Sequence, residues 1–290
     1  MIVINNDYAP DKCPLCKSSN LSRSGIITYT HPTLFSSNEI SISHEPELWR
    51  CNNCKSAFVK NVANEFDAID LYSKGESSER WKSNSSFEDS KTQNVVSILD
   101  NLFRGGTKNV LDIGCNTGEL LDFAQRRGCR TYGLEYSSSS LEIIKAKGHI
   151  AFSTMDEIKE SFNLIVAFDL IEHLYNVPCF LSRCYELLEP GGRLILLTGN
   201  INSQSAILLR ANWWYVKYPE HIVFPSKIYF ERYTNFHVVY WFHVYHSRYF
   251  YTPISLRLKV IASHLIKSRI YLGVPPILPD HVLVILKKKI

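Results

Sequence analysis

The chain is 290 residues long, 45% hydrophobic and 21% charged, with eight cysteines and a formal net charge of +4. That length holds one large domain and a small one, and the mixed composition excludes a disordered, collagenous or low-complexity chain. No apolar run approaches the length of a membrane-spanning helix, and MIVINNDYAP lacks the basic start and apolar core of a secretion signal. Eight cysteines without a leader point to a reducing, cytoplasmic location, where CxxC pairs read as metal ligands before disulfides. The charge is unevenly placed: residues 201–290 carry +9 and the first 200 carry −5. A basic last third suits an anionic partner, such as a phosphorylated substrate, a nucleic acid or a membrane surface, and equally a solvated face.

Residues 1–63 carry Cys13-Pro-Leu-Cys16 and Cys51-Asn-Asn-Cys54. Each CxxC turn aims two thiolates at one ion, and two such turns complete a tetrahedral site. SGIITYT and EISIS between them read as strands, and ELWRC delivers the second turn. The segment resembles a zinc ribbon. Four thiolates leave no open position on zinc, so the expected role is structural. Cys115, Cys129, Cys179 and Cys184 show no ligand spacing and are expected as small buried hydrophobes. Residues 64–106 turn polar and Ser-rich (ESSERWKSNSSFEDS) and then helical (TQNVVSILDNLF). They read as a linker, with a lid around Tyr72 to Trp81 and a helix opening the main domain.

From 107 to 290 strands and helices alternate. NVLDI is a strand and GELLDFAQRRG a helix; TYGLEY and SSSLEIIKAKG repeat the pair. HIAF, FNLIVAF and RLILLT are further short apolar strands, as expected of a parallel sheet buried on both faces. The order predicts a doubly wound α/β fold with ligands at the carboxyl ends of the strands.

The loop after the first of these strands reads G-C-N-T-G. A dinucleotide needs GxGxxG so that pyrophosphate can approach, and this spacing misses it. Asp112 would repel pyrophosphate and attract an ammonium group, which S-adenosylmethionine carries beside its sulfonium. Glu135, ending the second strand, is placed to accept both ribose hydroxyls.

LDIGCNTG, GLEYS, FNLIVAFDLIEHL and LLEPGGRLILLT, in this order, resemble a class I S-adenosylmethionine-dependent methyltransferase over about residues 107–200. The resemblance implies a Rossmann-like sheet of seven strands whose last two, FHVVYWFHVYH and DHVLVILKK, form an antiparallel hairpin. It also implies a cofactor site. Gly114, Cys115, Asn116 and Gly118 would form the loop under the methionine moiety, with Asp112 near its amino group. Glu135 and Tyr136 would lie at the ribose, Thr154 and Met155 beside the adenine, and Phe168 and Asp169 would close the pocket. Asn116 stands where a glycine is frequent, and Asn tolerates left-handed backbone better than most residues. Asn163 and Ser153-Thr154 stand where the family often has acids.

Methyl transfer to an alcohol or carbon acid requires alignment and removal of a proton. His173 in DLIEHL follows the fourth strand, on the rim where the methyl group should emerge, and is a candidate base or a loop-fixing residue. An insertion at about 201–226 contains NWWYVKYPEHIVFPS, where Tyr218, Glu220 and His221 cluster. YPEH resembles a Tyr-x-Glu-His element of methyltransferases acting on sugars, including zinc-ribbon nucleotide-sugar C-methyltransferases, where it serves acid–base chemistry. No further C-terminal domain is expected here, which favours transfer to oxygen over carbon. The expected acceptor is therefore a small molecule, an activated or glycan-linked sugar, with His as general base.

Two other readings stand beside this one. An rRNA base methyltransferase can also combine a zinc ribbon with this fold, but no Asn-Pro-Pro-Tyr-like element is present and the zinc-bearing half is acidic. RNA is thus a weaker partner than a small molecule, and DNA is not expected. A scaffold that holds the cofactor without turnover is the other. Residues 240–272 mix aromatic and basic positions, suited to peripheral membrane contact or to packing between the last strands.

Overall fold

The computed structural model describes residues 2–4, 7–28, 33–35, 38–42, 44–74, 87, 93–245, 253, 255, 259 and 278–289. Near the amino end lie strands β1 (Ile2–Ile4), β2 (Leu21–Ile26), β3 (Thr33–Phe35), β4 (Asn38–Ile42), β5 (Glu47–Cys51) and β6 (Ala57–Lys60). Strands β1, β4 and β3 form a small sheet of their own. The rest of the expected lid, 75–81, the Ser-rich linker up to 86, and most of 246–277, including the membrane-contact segment beyond Tyr245, lie outside the described residues.

The main sheet begins after the helix Gln93–Arg104 with β7 (Asn109–Ile113), β8 (Arg130–Leu134) and β9 (Ile150–Phe152). It continues with β10 (Phe162–Phe168) and β11 (Leu188–Gly199). A two-residue strand, β12 (Val223–Phe224), precedes β13 (Phe236–Val244) and β14 (His281–Lys288). The seven strands run in the order β13-β14-β11-β10-β7-β8-β9. Pairing from β9 to β11 is parallel, and β14 runs antiparallel to both β11 and β13. The chain winds one way from β7 and then returns to start β10 on its other side. That reversal puts a crevice at the carboxyl ends of β7 and β10.

Period-two alternation decides which face each strand residue serves. Val110, Leu164, Val166, Ile195 and Leu283 pack with Val95, Leu99 and Phe103 of the leading helix. Leu111, Tyr132, Ile165, Leu196 and Val284 face the opposite core, which also contains Cys13, Leu48, Phe58 and Val59. The amino-terminal module and the main sheet therefore share one hydrophobic core. The insertion after β11 also joins the module's sheet, because β12 is the edge strand of the order β12-β6-β5-β2.

One expectation is corrected. Cys115, Cys129 and Cys184 are buried, whereas Cys179 is exposed. The helix Val177–Leu187 buries Val177, Leu181, Cys184 and Leu187, and 3.6-residue periodicity turns position 179 outward.

Asn163, where the family often has an acid, is a staple at the amino end of the sheet. Its Oδ1 accepts from the backbone N–H groups of Lys108 and Asn109, each at 3.0 Å, and its Nδ2 donates to Glu189 at 2.6 Å. Asn163→Ala is expected to destabilise the fold by about 1–3 kcal/mol in urea denaturation, through partners left unpaired. Affinity for S-adenosylhomocysteine should be unchanged, because the crevice is at the other end of β10.

Candidate active site

The glycine loop follows β7 as a sharp left-handed turn. Gly114, Asn116 and Gly118 have φ of 76°, 47° and 85°, so Asn116 adopts the conformation that Asn tolerates and most residues resist. Gly114 N donates to Leu134 O at 2.8 Å, and Gly118 N to Cys115 O at 2.9 Å. Glu135 clasps the loop: its carboxylate accepts from Asn116 N at 3.0 Å, Tyr136 N at 2.8 Å and Ser137 N at 3.1 Å. Asp112 is buried in β7 beneath it. Cys115 turns inward against Leu121 and Ile144. Burial, then the charges of Asp112 and Glu135, push its thiol well above the ordinary range. It contributes packing and backbone, not a thiolate.

The other positions implied for the cofactor lie along the same edge. Glu135 N donates to Phe152 O, tying the second turn to β9 two residues before Thr154. Thr154 is exposed and Met155 half-buried. Phe168 stacks on Phe87 with centroids 6.4 Å apart. Asp169 sits at φ 50°, a left-handed turn held by its N–H on Leu197 O at 2.9 Å. Tyr136 is the outlier, with its ring largely in solvent.

His173 and His221, forty-eight positions apart in sequence, meet edge-to-face with ring centroids 4.8 Å apart. His173 Nδ1 lies 3.0 Å from the Glu220 carbonyl, and His221 Nδ1 lies 2.7 Å from the Tyr215 carbonyl. A carbonyl only accepts, so each Nδ1 carries the hydrogen and each Nε2 is the basic nitrogen. Burial lowers the pKa of both rings, and His173 lowers that of His221 further. The pair is neutral near pH 7.

Beside the pair is a carboxyl that sequence reasoning passed over. Glu172 is fully buried and accepts from the hydroxyls of Thr198, at 2.9 Å, and Tyr215. Burial, with Asp169 nearby, raises its pKa to about 8. Tyr215 in turn rests between Trp213 and His281, at centroid distances of 5.4 and 4.4 Å. Buried Asp280 holds this shell by accepting from Trp213 Nε1 at 3.0 Å, Trp214 Nε1 at 2.6 Å and His281 Nδ1 at 2.9 Å. A Cβ added at Gly199 would lie 2.2 Å from the Tyr215 ring, so only glycine fits under it. No local pattern in DLIEHL signals Glu172. Asp280 was signalled by being one of only three acids after residue 200.

The YPEH residues divide their work. Tyr218 donates its hydroxyl to Asn61 O at 3.3 Å, on the amino-terminal module. The Glu220 carboxylate pairs with Lys217 at 2.8 Å while its carbonyl holds His173. Glu172, His173 and His221 each offer a coordinating atom within 4.8 Å of the others. Both Glu172 oxygens already serve hydroxyl donors, which suits an orienting carboxyl better than a metal ligand.

The four CxxC cysteines converge. Cys13 and Cys54 Sγ are 3.7 Å apart, Cys16 and Cys51 Sγ 3.5 Å, and all four sulfurs lie within 4.8 Å of one another. A tetrahedron with metal–sulfur bonds of about 2.3 Å has edges of about 3.8 Å, so the donor set fits zinc. The two turns match: Lys17 N donates to Cys13 O and Lys55 N to Cys51 O, with φ of 62° and 59° at the lysines.

A family model described as "Methyltransferase domain" matches residues 89–235, half of the chain and both the glycine loop and the histidine pair. The chain belongs to the methyltransferase-domain family. The chain is 35% identical over 112 residues to a ubiquinone biosynthesis O-methyltransferase of Bradyrhizobium diazoefficiens, covering 36% of this chain and 44% of that protein. It is 29% identical over 140 residues to the mitochondrial rat protein of the same name, covering 39% and 40%. The chain thus spans less than half the length of these curated relatives. In fold it is similar to the magnesium protoporphyrin IX methyltransferase of Synechocystis with bound SAH, at TM-score 0.51 and 12% identity, over 78% of this chain and all of that one.

Two outcomes are expected at this site. In NMR of histidine-labelled protein, His173 and His221 should appear as neutral Nδ1–H tautomers, titrating only below the ordinary 6.5. Gly199→Ala should cost about 1–3 kcal/mol in thermal or urea unfolding, because overpacking forces Tyr215 off Glu172.

Proposed function

We propose that this methyltransferase domain transfers the methyl group of S-adenosylmethionine to a hydroxyl of a small molecule, with activated or glycan-linked sugars as the acceptor class. The observation that carries the reading is the neutral, tautomer-locked histidine pair beside the crevice that the glycine loop lines. S-adenosylmethionine supplies an activated methyl on its sulfonium. Asp112 would face its amino group, Glu135 the ribose hydroxyls, and Thr154 and Met155 the adenine. The Nε2 of His173 or His221 would take the acceptor proton as the methyl group passes from sulfur to oxygen and S-adenosylhomocysteine leaves, a contribution of about 10²–10⁴ in rate for a positioned base. Glu172, with both oxygens accepting from the hydroxyls of Thr198 and Tyr215, orients rather than competes for that proton. The O-methyltransferase names of the curated relatives support oxygen as the accepting atom, and the Tyr-x-Glu-His element supports a sugar.

At the amino end, Cys13, Cys16, Cys51 and Cys54 would hold a structural zinc ion; with four thiolates it has no position left for substrate.

Incubation with labelled S-adenosylmethionine and a panel of nucleotide sugars and catechols tests the acceptor. We expect a methyl ether on a sugar, lost by at least about a hundredfold in His173→Ala or His221→Ala. Methylation of catechols alone would overturn the sugar, and full turnover in both variants would overturn the base. Calorimetry with S-adenosylhomocysteine tests the cofactor side separately, and unchanged affinity in Glu135→Ala would remove the ribose role.

A further inference from the structure

The four-cysteine centre and the histidine pair belong to different sheets, yet a short buried path joins them. Cys51 N donates to Ser56 O at 2.9 Å, fixing the second cysteine turn to the start of β6. Ser226, fully buried, meets that turn twice: its N–H donates to Ser56 Oγ at 3.0 Å and its hydroxyl donates to the Cys54 carbonyl. Between these points β12 pairs with β6, Val223 opposite Phe58 and Phe224 opposite Ala57. The next bond along is Val59 N to Ile222 O at 2.8 Å, and Ile222 N donates to Glu172 O at 2.8 Å. Ile222 follows His221 directly, and Glu172 precedes His173 directly. One backbone line thus runs from the cysteine turn to both histidines.

A second tether reaches the end of β11. Arg50 donates to Ile201 O at 2.6 Å and to Asn202 Oδ1 at 3.1 Å, and Asn202 Nδ2 donates to Lys55 O at 3.2 Å. The cofactor half is held differently. The bonds at 114–118 and at Glu135 run among β7, β8 and β9.

We propose that the four-cysteine centre is a positioning element for the acceptor half of the active site: a zinc-type cation bound there sets β6 and β12, and so holds His221 against His173. The inference rests on the acceptor-site reading above and adds to it a division of the molecule, with the donor half independent of the metal and the acceptor half dependent on it. Metal binding to a thiolate cluster is coupled to local folding. Here the segment that would fold with it carries a histidine of the pair.

The test compares full-length zinc-loaded protein, the same protein stripped with a chelator, and Ser226→Ala, which cuts the bond to Cys54 O and the helix cap on Tyr229 N and leaves every thiol. Elemental analysis should give about one zinc per chain for the wild type and for Ser226→Ala. On stripping, amide hydrogen exchange of 221–226 should quicken by about tenfold or more, while 109–135 stays protected. Calorimetric affinity for S-adenosylhomocysteine should stay within about threefold. Ser226→Ala should quicken the same amides by a smaller factor with zinc retained. Where a methyl acceptor is in hand, turnover should follow the exchange at 221–226.

Unchanged protection of 221–226 after stripping would overturn the proposal. So would equal loss of protection throughout 109–135 with loss of cofactor binding, which would make the centre a general staple. A wild type that takes up no zinc overturns it as well. Because exchange is read without an acceptor, a failure to find methyl transfer would count against the proposed reaction and leave the positioning result to stand or fall separately.

Discussion

A carboxyl with no access to water constrains most of the acceptor side. Glu172 is fully buried, and an unpaired buried carboxyl is costly, so its neighbours must supply donors. Thr198 and Tyr215 supply them. Tyr215 reaches Glu172 only because Gly199 has no side chain in its way, and because Trp213 and His281, fixed by Asp280, hold its ring. Its carbonyl then sets the tautomer of His221. A single buried acid thus links the ends of β10, β11 and β14 with the insertion, and the histidine pair inherits its geometry from that network.

The amino-terminal module belongs to this economy of contacts rather than hanging beside it. It contributes to the same core as the main sheet, and the insertion lends it an edge strand. An edge strand left open is a liability that proteins cover, and here the cover comes from the stretch next to His221. Tyr218 and Tyr175 add side-chain bonds to Asn61 O and Ala63 O. Residues 57–63 therefore act as a common wall between the cysteine turns and the methyltransferase domain.

Much of the fold was legible because its signals are local. The short apolar runs of β7, β8, β10 and β11, and the glycine-bounded helices between them, follow from pattern and turn chemistry. The left-handed Asn116 was readable from side-chain chemistry alone. The acceptor side was less legible. Glu172 looked like one more polar residue in a loop, since nothing in DLIEHL says that the acid faces inward. Tyr215 and Gly199 are informative only as a touching pair. Cys179 was misplaced because spacing does not reveal which face of a short helix is turned to solvent.

The amino-acid sequence by itself determined the succession of strands and helices in the parallel half, the glycine loop with Asp112 in the strand before it, and two CxxC turns of equal form. Each is encoded within a dozen neighbouring residues, where sterics and hydrogen bonding act at short range. Only the tertiary structure decided that His173 and His221 form a pair, that Glu172 rather than Tyr218 stands beside them, and that β12 joins the cysteine module's sheet. Those contacts depend on long-range packing, which decides which groups lose water together, and no local pattern carries that information.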